Sequence, residues 1–216
     1  MSATDGIRIK NLHSFHDFNL FIKSRNIGLP EKKSIRETVP FMVGYFDFSA
    51  LNGAPAWNER KIEYSFDVIG DTPQALENEL TKVMDWLCNV HDEDIFDDTL
   101  TNMHWHGSYE SCDISYDDDG EYAEIKVLFV VHPFKIANAP TLYTMTAGTY
   151  TIKNSGMAVS PIVSSTASAA IQIGTYVSSI PANNEITLEI DLERGDNTVI
   201  VTGSGTVTFR FYEEVL

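Results

Sequence analysis

The fold is decided by residues 61–87, KIEYSFDVIGDTPQALENELTKVMDWL, in which the spacing of the apolar side chains changes once. Over residues 61–68 apolar and polar side chains alternate, which is the pattern of a strand with one buried face. The apolar members of this stretch are Ile62, Tyr64, Phe66 and Val68. The sequence therefore predicts a half-buried strand here.

A helix is predicted directly after this strand. Gly70 ends the alternation, Asp71 or Thr72 is the expected N-cap, and Pro73 suits the first helical position because no N–H group is needed there. The apolar residues then recur at spacings of four, three and four, which places them along one side of a helix. They are Leu76, Leu80, Val83 and Leu87, with Trp86 beside them.

A β-hairpin is predicted after the helix, beyond an acidic loop over residues 91–98. Its strands cover residues 108–116 and 121–131, and the turn between them is Asp117-Asp118-Asp119-Gly120. Aspartate and glycine accept the positive φ of a tight turn. The apolar face of the return strand carries Ala123, Ile125, Val127, Phe129 and Val131.

A domain boundary is predicted near residues 132–140, where two prolines and several small residues occur. Beyond it Ser, Thr, Gly and Val dominate and short strands alternate with turns, which is typical of a β-sandwich. Strands are predicted over 188–192 and 198–202, with a turn at 194–197, and a last strand turns Val207, Phe209 and Phe211 inward. The chain is predicted to be mainly β, of the α+β type, with one helix.

The net charge excludes several classes of partner. The 216 residues contain 15 Lys and Arg against 31 Asp and Glu, a net charge of -16. Such a chain repels phosphate, so neither sequence-specific nucleic-acid binding nor adhesion to an anionic membrane is expected. No apolar run approaches the roughly 20 residues that cross a bilayer, and the N-terminus has no apolar signal core. A soluble protein without membrane insertion or an evident export route is predicted.

The charges are also unevenly distributed. Residues 1–40 hold seven basic side chains against four acidic ones, whereas residues 71–124 hold sixteen acidic side chains against Lys82. Such a block creates a field that biases what lies next to it. A solvated outer face without a function is the alternative interpretation.

No motif predicts a metal, a cofactor or catalysis. The turn at 117–120 fails as an EF-hand because Lys126 stands where a bidentate Glu is required. His104 and His106 point the same way on a strand, but a third ligand at a diagnostic spacing is missing, whether His91 or a carboxylate. Cys88 and Cys112 match no zinc site and are predicted to be reduced thiols, with a single bridge as the alternative. Phosphate-cradling loops, Gly-x-Ser-x-Gly and His-Glu-x-x-His are absent from the sequence.

Several segments, in order, resemble the distal tail protein (Dit) family of siphovirus-type bacteriophages. The most specific are Ile27-Gly28-Leu29-Pro30, then Arg36-x-x-Val39-Pro40, then Gly44-x-x-Asp47-Phe48-Ser49. An opening segment at 13–20 is similar too, with Asn19 where the family commonly has Gly; either residue tolerates positive φ. In the C-terminal part Asn154-x-Gly156, Ser160-Pro161 and residues 194–197 carry the resemblance.

The resemblance implies two domains and an assembly. The domains are an N-terminal β-sandwich or split-barrel-like domain with one helix, residues 1–136, and a C-terminal galectin-like β-sandwich, residues 137–216. The N-terminal domains would close into a homo-hexameric ring in the virion tail. The major tail tube protein would lie on one side of the ring, and tail-tip hub or baseplate proteins on the other. The chain would be a structural protein made in the host cytoplasm, not an enzyme, and would need no cofactor.

Two sets of residues are candidates for roles in that ring. An acidic lining that repels DNA is the first, and its candidates are Asp92, Glu93, Asp94, Asp97, Asp98, Asp117, Asp118 and Asp119. Contact with an acidic surface of the neighbouring subunit is the second, with candidates Lys32, Lys33 and Arg36.

Two other functions compete with the ring. The C-terminal sandwich would bind saccharide if Tyr143, Tyr150 and Tyr176 stacked on sugar faces, although aromatic residues are as readily buried in a core or at a sandwich edge. A metal-dependent enzyme built on His104 and His106 is the third class.

Overall fold

The computed structural model describes residues 4–38, 40–41, 43–49 and 56–216. Val39, part of the Arg-x-x-Val-Pro segment, lies outside the described residues. The chain divides into two units, the first ending at Lys135 and the second running Ile136–Val215.

The first unit contains nine strands and two helices among its described residues. The strands are β1 (Ile7–Ile9), β2 (Leu12–His13), β3 (Phe21–Ile27), β4 (Arg36–Glu37), β5 (Phe46–Asp47), β6 (Arg60–Ile69), β7 (Glu93–Asp97), β8 (Met103–Tyr116) and β9 (Tyr122–Val131). The helices are α1 (Ser14–Phe18) and α2 (Pro73–Cys88). Seven strands pair antiparallel in the order β2-β1-β7-β8-β9-β6-β3, and β4 pairs with β5 apart from them.

The predicted strand, helix and hairpin are confirmed. Thr72 is the N-cap of α2 and its side chain accepts from the Ala75 N–H, so the second of the two expected caps is used. The whole predicted stripe of α2 is buried, and it shares one core with the predicted apolar faces of β6 and β9. β8 begins at Met103, five residues before the predicted position, and Gly120 has φ +70 in the turn.

The segment predicted as an acidic loop is wrong in part, because residues 93–97 form β7, between β1 and β8. Ile95 faces the core, and Asp97 is buried as well, so the strand has an inner face of one apolar and one acidic residue. Three of its five residues, Glu93, Asp94 and Asp97, are poor strand formers, so the sequence pattern did not indicate a strand.

The sheet of the first unit is strongly curled. Arg25 in β3 contacts Asp97 in β7 at 2.8 Å, although four steps in strand order separate these strands. In a flat sheet four steps would be about 19 Å. The prediction of a sandwich or split-barrel-like first domain agrees with this curl.

Helix α1 was not predicted, and its cap explains why. His13 is buried and serves as the N-cap, its Nδ1 accepting from the N–H groups of Phe15 and His16. Histidine is not among the common capping residues. Asn19 ends the helix at φ +53, in the positive-φ conformation expected at this position.

The second unit is a β-sandwich. The short strands β10 (Lys135–Ala137) and β19 (Glu214–Val215) pair with each other and belong to neither sheet of the sandwich. The sandwich strands are β11 (Thr141–Met145), β12 (Gly148–Asn154), β13 (Ile162–Ser165), β14 (Ala169–Ile173), β15 (Tyr176–Ile180), β16 (Asn184–Thr187), β17 (Gly195–Gly203) and β18 (Val207–Phe211). One sheet has the order β11-β18-β13-β16 and the other β12-β17-β14-β15. Val207, Phe209 and Phe211 face the core as predicted.

The strand predicted over 188–192 is wrong. β16 ends at Thr187, and Leu188 and Leu192 are buried without strand pairing beyond one bridge from Leu192 to Val159. Side-chain amides bond the backbone here instead: Asn154 Nδ2 donates to the Leu192 carbonyl at 2.8 Å, and Asn197 donates to the Glu193 carbonyl at 2.8 Å. The predicted turn at 194–197 is correspondingly short, because β17 already begins at Gly195.

The mainly β, α+β fold class is therefore confirmed. No helix in the described part of the chain is both long and apolar enough to cross a membrane.

Candidate functional site

Asp97 is not part of an acidic surface. Its side chain has no solvent exposure, and one carboxylate oxygen accepts from Arg25 Nε at 2.8 Å and from the Tyr64 hydroxyl at 3.0 Å. The other oxygen accepts from the N–H and hydroxyl of Thr99. The prediction that Asp97 lines a lumen is wrong in this chain, because a buried and fully bonded carboxylate presents no charge to solvent.

The other acids around β7 reach solvent, but each of them has a basic or imidazole partner. Asp98 lies 3.0 Å from His13 Nε2 and also accepts from the Gly6 N–H, which ties α1 to the strand edge. Glu93 pairs with Lys10 at 2.9 Å, and Asp92 and Asp94 flank His106. These partners reduce the negative electrostatic potential that Asp92, Glu93, Asp94 and Asp98 produce at the surface.

The turn acids Asp117, Asp118 and Asp119 are exposed. Asp117 shapes the turn, because its Oδ1 accepts from the N–H groups of Glu121 and Tyr122 at 3.1 Å. β7 pairs with β8 only between Ile95 and Glu93, opposite Trp105 and Gly107, at the far end of β8 from this turn. The ten residues between Gly107 and Asp117 span about 30 Å of extended chain. The structure therefore places the candidate carboxylates in two separate groups.

The three basic candidates lie in a segment that we call the arm, residues 29–48 as far as they are described. Lys32 Nζ lies 5.8 Å from the centre of the Trp57 ring. The Arg36 guanidinium stacks 4.6 Å from the Tyr45 ring and pairs with Asp47 at 3.4 Å. Hydrogen bonds from Ser49, with the charge of Arg36, lower the pKa of Asp47. Lys33 has an exposed side chain, and its N–H donates to the Ala56 carbonyl.

The arm carries most of the exposed large apolar side chains among the described residues of the first unit, and the sequence did not predict this. Phe41 and Val43 are fully exposed and Leu29 is 84% exposed. The exposed apolar side chains of the arm are Leu29, Ile35, Phe41, Val43, Tyr45, Phe46 and Phe48. Contiguous exposed apolar groups mark interaction surfaces. The available signal was an aromatic-rich run that follows no strand or helix period.

The three tyrosines proposed for saccharide are half-buried against the core of the sandwich. The Tyr143 hydroxyl bonds Lys153 backbone groups at 3.2 and 3.3 Å, and the Tyr176 hydroxyl accepts from the Glu189 N–H. Tyr150 and Tyr176 occupy opposite edge strands of one sheet. They do not form one stacking platform, and saccharide binding stays a prediction.

His104 and His106 share one side of β8, as the alternation predicted. Asp94 Oδ1 lies 3.3 Å from His104 Nε2 and 2.8 Å from His106 Nδ1. Across the described residues no group of three or more His, Cys, Asp or Glu side chains is arranged to hold a metal ion. Both cysteines are free thiols, and Cys112 is half-buried.

The chain is similar to known proteins in its fold but not in its sequence. No protein-family model matches the chain, and no curated protein matches its sequence. The crystal structure of Dit (gp 19.1) of phage SPP1, described as a paradigm of the hub adsorption apparatus in phages infecting Gram-positive hosts, matches with a TM-score of 0.74. The match covers 98% of this chain and 99% of that chain at 14% sequence identity.

The chain has a Dit-like fold. The match includes both units, so the resemblance read from the sequence is confirmed at the level of the fold. A chain of the phage P2 baseplate in its activated, calcium-bound conformation is similar with a TM-score of 0.46 and 7% identity, which adds nothing to the assignment.

Proposed function

We propose that this Dit-like chain is a structural protein of a phage tail, a hub that closes as a homo-hexameric ring between the tail tube and the tail tip or baseplate. The observation that carries the proposal is the likeness to SPP1 Dit over nearly the full length of both chains. The ring would hold the major tail tube protein on one side and tail-tip or baseplate proteins on the other, and would give passage to DNA. Its location would be the virion tail.

The arm supplies the contact that closes the ring. Its exposed apolar side chains would be buried by packing against a neighbouring subunit. The exposed Lys33 ammonium in the same segment would be attracted to that subunit, because the chain has a net charge of -16. A contact between different surfaces of identical subunits generates a ring when the rotation closes. An arm that combines exposed apolar side chains with Lys32, Lys33 and Arg36 fits such a heterologous contact.

The exposed carboxylates of the turn at 117–119 line the passage for DNA. With Asp97 buried and the remaining β7 acids paired, the turn at 117–119 is the group with the least compensation by basic partners. Carboxylates on the inner wall of the ring repel the phosphates of DNA, which keeps the DNA from binding to the wall as it passes.

Native mass spectrometry of the full chain tests the assembly. The proposal predicts a species at the mass of a hexamer of the 24.2 kDa chain, on its own or after the tail tube protein is added. A strict monomer at high concentration, with and without tube protein, would contradict it.

A further inference from the structure

The His106 side chain lies between two carboxylates. Its Nδ1 is 2.8 Å from Asp94 Oδ1 and its Nε2 is 3.0 Å from Asp92 Oδ1. An ionised carboxylate only accepts hydrogen bonds, so both contacts form together only when both ring nitrogens carry a proton. The geometry is therefore that of an imidazolium ion.

These contacts join two elements. Asp94 lies opposite His106 in the pairing of β7 with β8. Asp92 precedes β7 in a left-handed backbone conformation with φ +55, and its N–H donates to Ser108 Oγ of β8 at 2.9 Å. Backbone pairing already holds Glu93 and Asp94 against β8. Protonated His106 adds a side-chain tie to the turn that precedes β7, through Asp92.

Other titratable and charged groups surround the same place. Lys10, from the turn between β1 and β2, pairs with Glu93 and lines a cavity of about 230 Å³ with Asp92, Glu93, Asp94, Phe96 and His106. His104 shares the Asp94 oxygen at 3.3 Å, and His91 Nδ1 lies 3.4 Å from Ser108 Oγ. After β9, the His132 N–H donates to the His106 carbonyl at 2.7 Å. Around His106 itself the nearest charges are the two carboxylates.

We propose that His106 is a proton-dependent latch for the turn at residues 91 and 92. When protonated it binds Asp92 and Asp94 at once and holds the turn on β8. When it loses a proton, only one ring nitrogen still donates. The longer contact, to the more exposed Asp92, is then the one lost, which leaves the turn held by the Ser108 hydrogen bond and makes the surface more negative by one unit of charge. The inference does not depend on the proposed tail function.

The direction of the pH effect follows from the surroundings of the imidazole. Burial lowers the pKa of His106, but hydrogen bonds from the ring to Asp94 and Asp92 outweigh burial, and the net shift is upward. The latch is fully closed below the ordinary histidine pKa of about 6.5 and opens as pH rises through the higher folded value. The contact is therefore lost only at a pH above the ordinary histidine value.

An NMR titration of the full chain tests the latch. We expect the His106 ring signals to titrate above the ordinary histidine value, and D92N, which replaces a side chain 77% exposed, to lower that midpoint. D118N removes one charge from the distant hairpin turn and should leave the midpoint unchanged. A midpoint at or below the ordinary value, or one indifferent to D92N, overturns the proposal.

Hydrogen exchange gives the mechanical readout. After correction for the intrinsic base-catalysed rate, protection of the Asp92 amide should fall by roughly two- to fivefold as pH passes the His106 midpoint, the size expected of a partly exposed charge pair. In H106Q the protection should be low and independent of pH. Protection in the natural chain that does not change across the midpoint would show that the proton controls no motion.

Discussion

Arg25 of β3 and Asp97 of β7 form an ion pair of 2.8 Å across the interior of the first unit, with side chains 8% and 0% exposed. The pair joins strands that are four steps apart in the sheet, so it fixes how tightly the sheet curls. Tyr64 of β6 donates to the same carboxylate, and burial, followed by the charge of Asp97, raises the pKa of the Tyr64 hydroxyl well above its usual value. An acid that the sequence placed on a surface is instead the polar centre of the fold.

Removing the Asp97 charge should destabilise the first unit. D97N removes the carboxylate charge that faces the buried Arg25 guanidinium, and breaking a buried pair in this way costs about 3–5 kcal/mol. Urea unfolding followed by tryptophan fluorescence measures it, because Trp57, Trp86 and Trp105 all lie in the first unit. E110Q, which breaks the exposed pair with Lys61, is the control and should change stability by less than about 1 kcal/mol. Equal losses in both variants would contradict the role given to Asp97.

Cys112 should react with alkylating reagents more slowly than Cys88. Burial, followed by the charge of Asp113, raises the pKa of Cys112 to about 11. At pH 8 about one Cys112 in a thousand is then a thiolate, the form that reacts, whereas Cys88 is exposed. Alkylation with iodoacetamide at pH 8, followed by peptide mapping, should modify Cys88 first, and the Cys112 rate should still be rising at pH 10. Equal rates at pH 8 would be inconsistent with the structure.

Gly107 should tolerate no side chain. A Cβ at this position would lie 2.2 Å from the Val130 carbonyl oxygen and 2.6 Å from Val131 Cα, both backbone atoms of β9. We expect G107A to lower the free energy of unfolding by about 1–3 kcal/mol or more, as overpacking does. G28A is the matched control because its nearest contact would be an ordinary 3.4 Å to the Lys61 carbonyl. Tryptophan fluorescence in urea distinguishes the two, and a stable G107A would show that the β8–β9 spacing is not fixed here.

Charge reversal in the arm should impair assembly without unfolding the chain. Lys33 is the best position to test, because its two neighbours also have contacts within the chain. Arg36 stabilises the arm through Tyr45 and Asp47, and Lys32 lies over Trp57. We expect K33E to weaken ring formation in native mass spectrometry, more strongly at low salt, since screening removes the attraction. K153E, an exposed reversal in the second unit, should assemble like the natural chain. Assembly of K33E that matches K153E at every salt concentration would remove Lys33 from the interface.

The sequence predicted the elements whose periodicity matches their burial. β6, α2 and β9 each bury one regular apolar face, so counting residues was enough. β7 and residues 188–192 failed for a shared reason: their conformation depends on partners far away in the chain. Asp97 is accommodated in β7 by Arg25 and Tyr64, and the Leu192 carbonyl is bonded by the Asn154 side chain.

The candidate surfaces were predicted less well than the fold. Charge counts identified the acidic region, but they did not separate buried Asp97 from exposed Asp118 or show that Asp92 and Asp94 flank His106. The apolar exposure of the arm has no periodic signature at all. Such properties depend on which side chains meet in three dimensions, and composition does not contain that information.

Electron cryo-microscopy of intact phage particles carrying this chain is the most direct test of the proposed tail hub. The account predicts copies of the chain in a closed hexameric ring around the tail axis, at the junction of the tube with the tail tip, with each arm on a neighbouring subunit. Density for the chain at any other place in the virion, or off the axis of the tail, would contradict it.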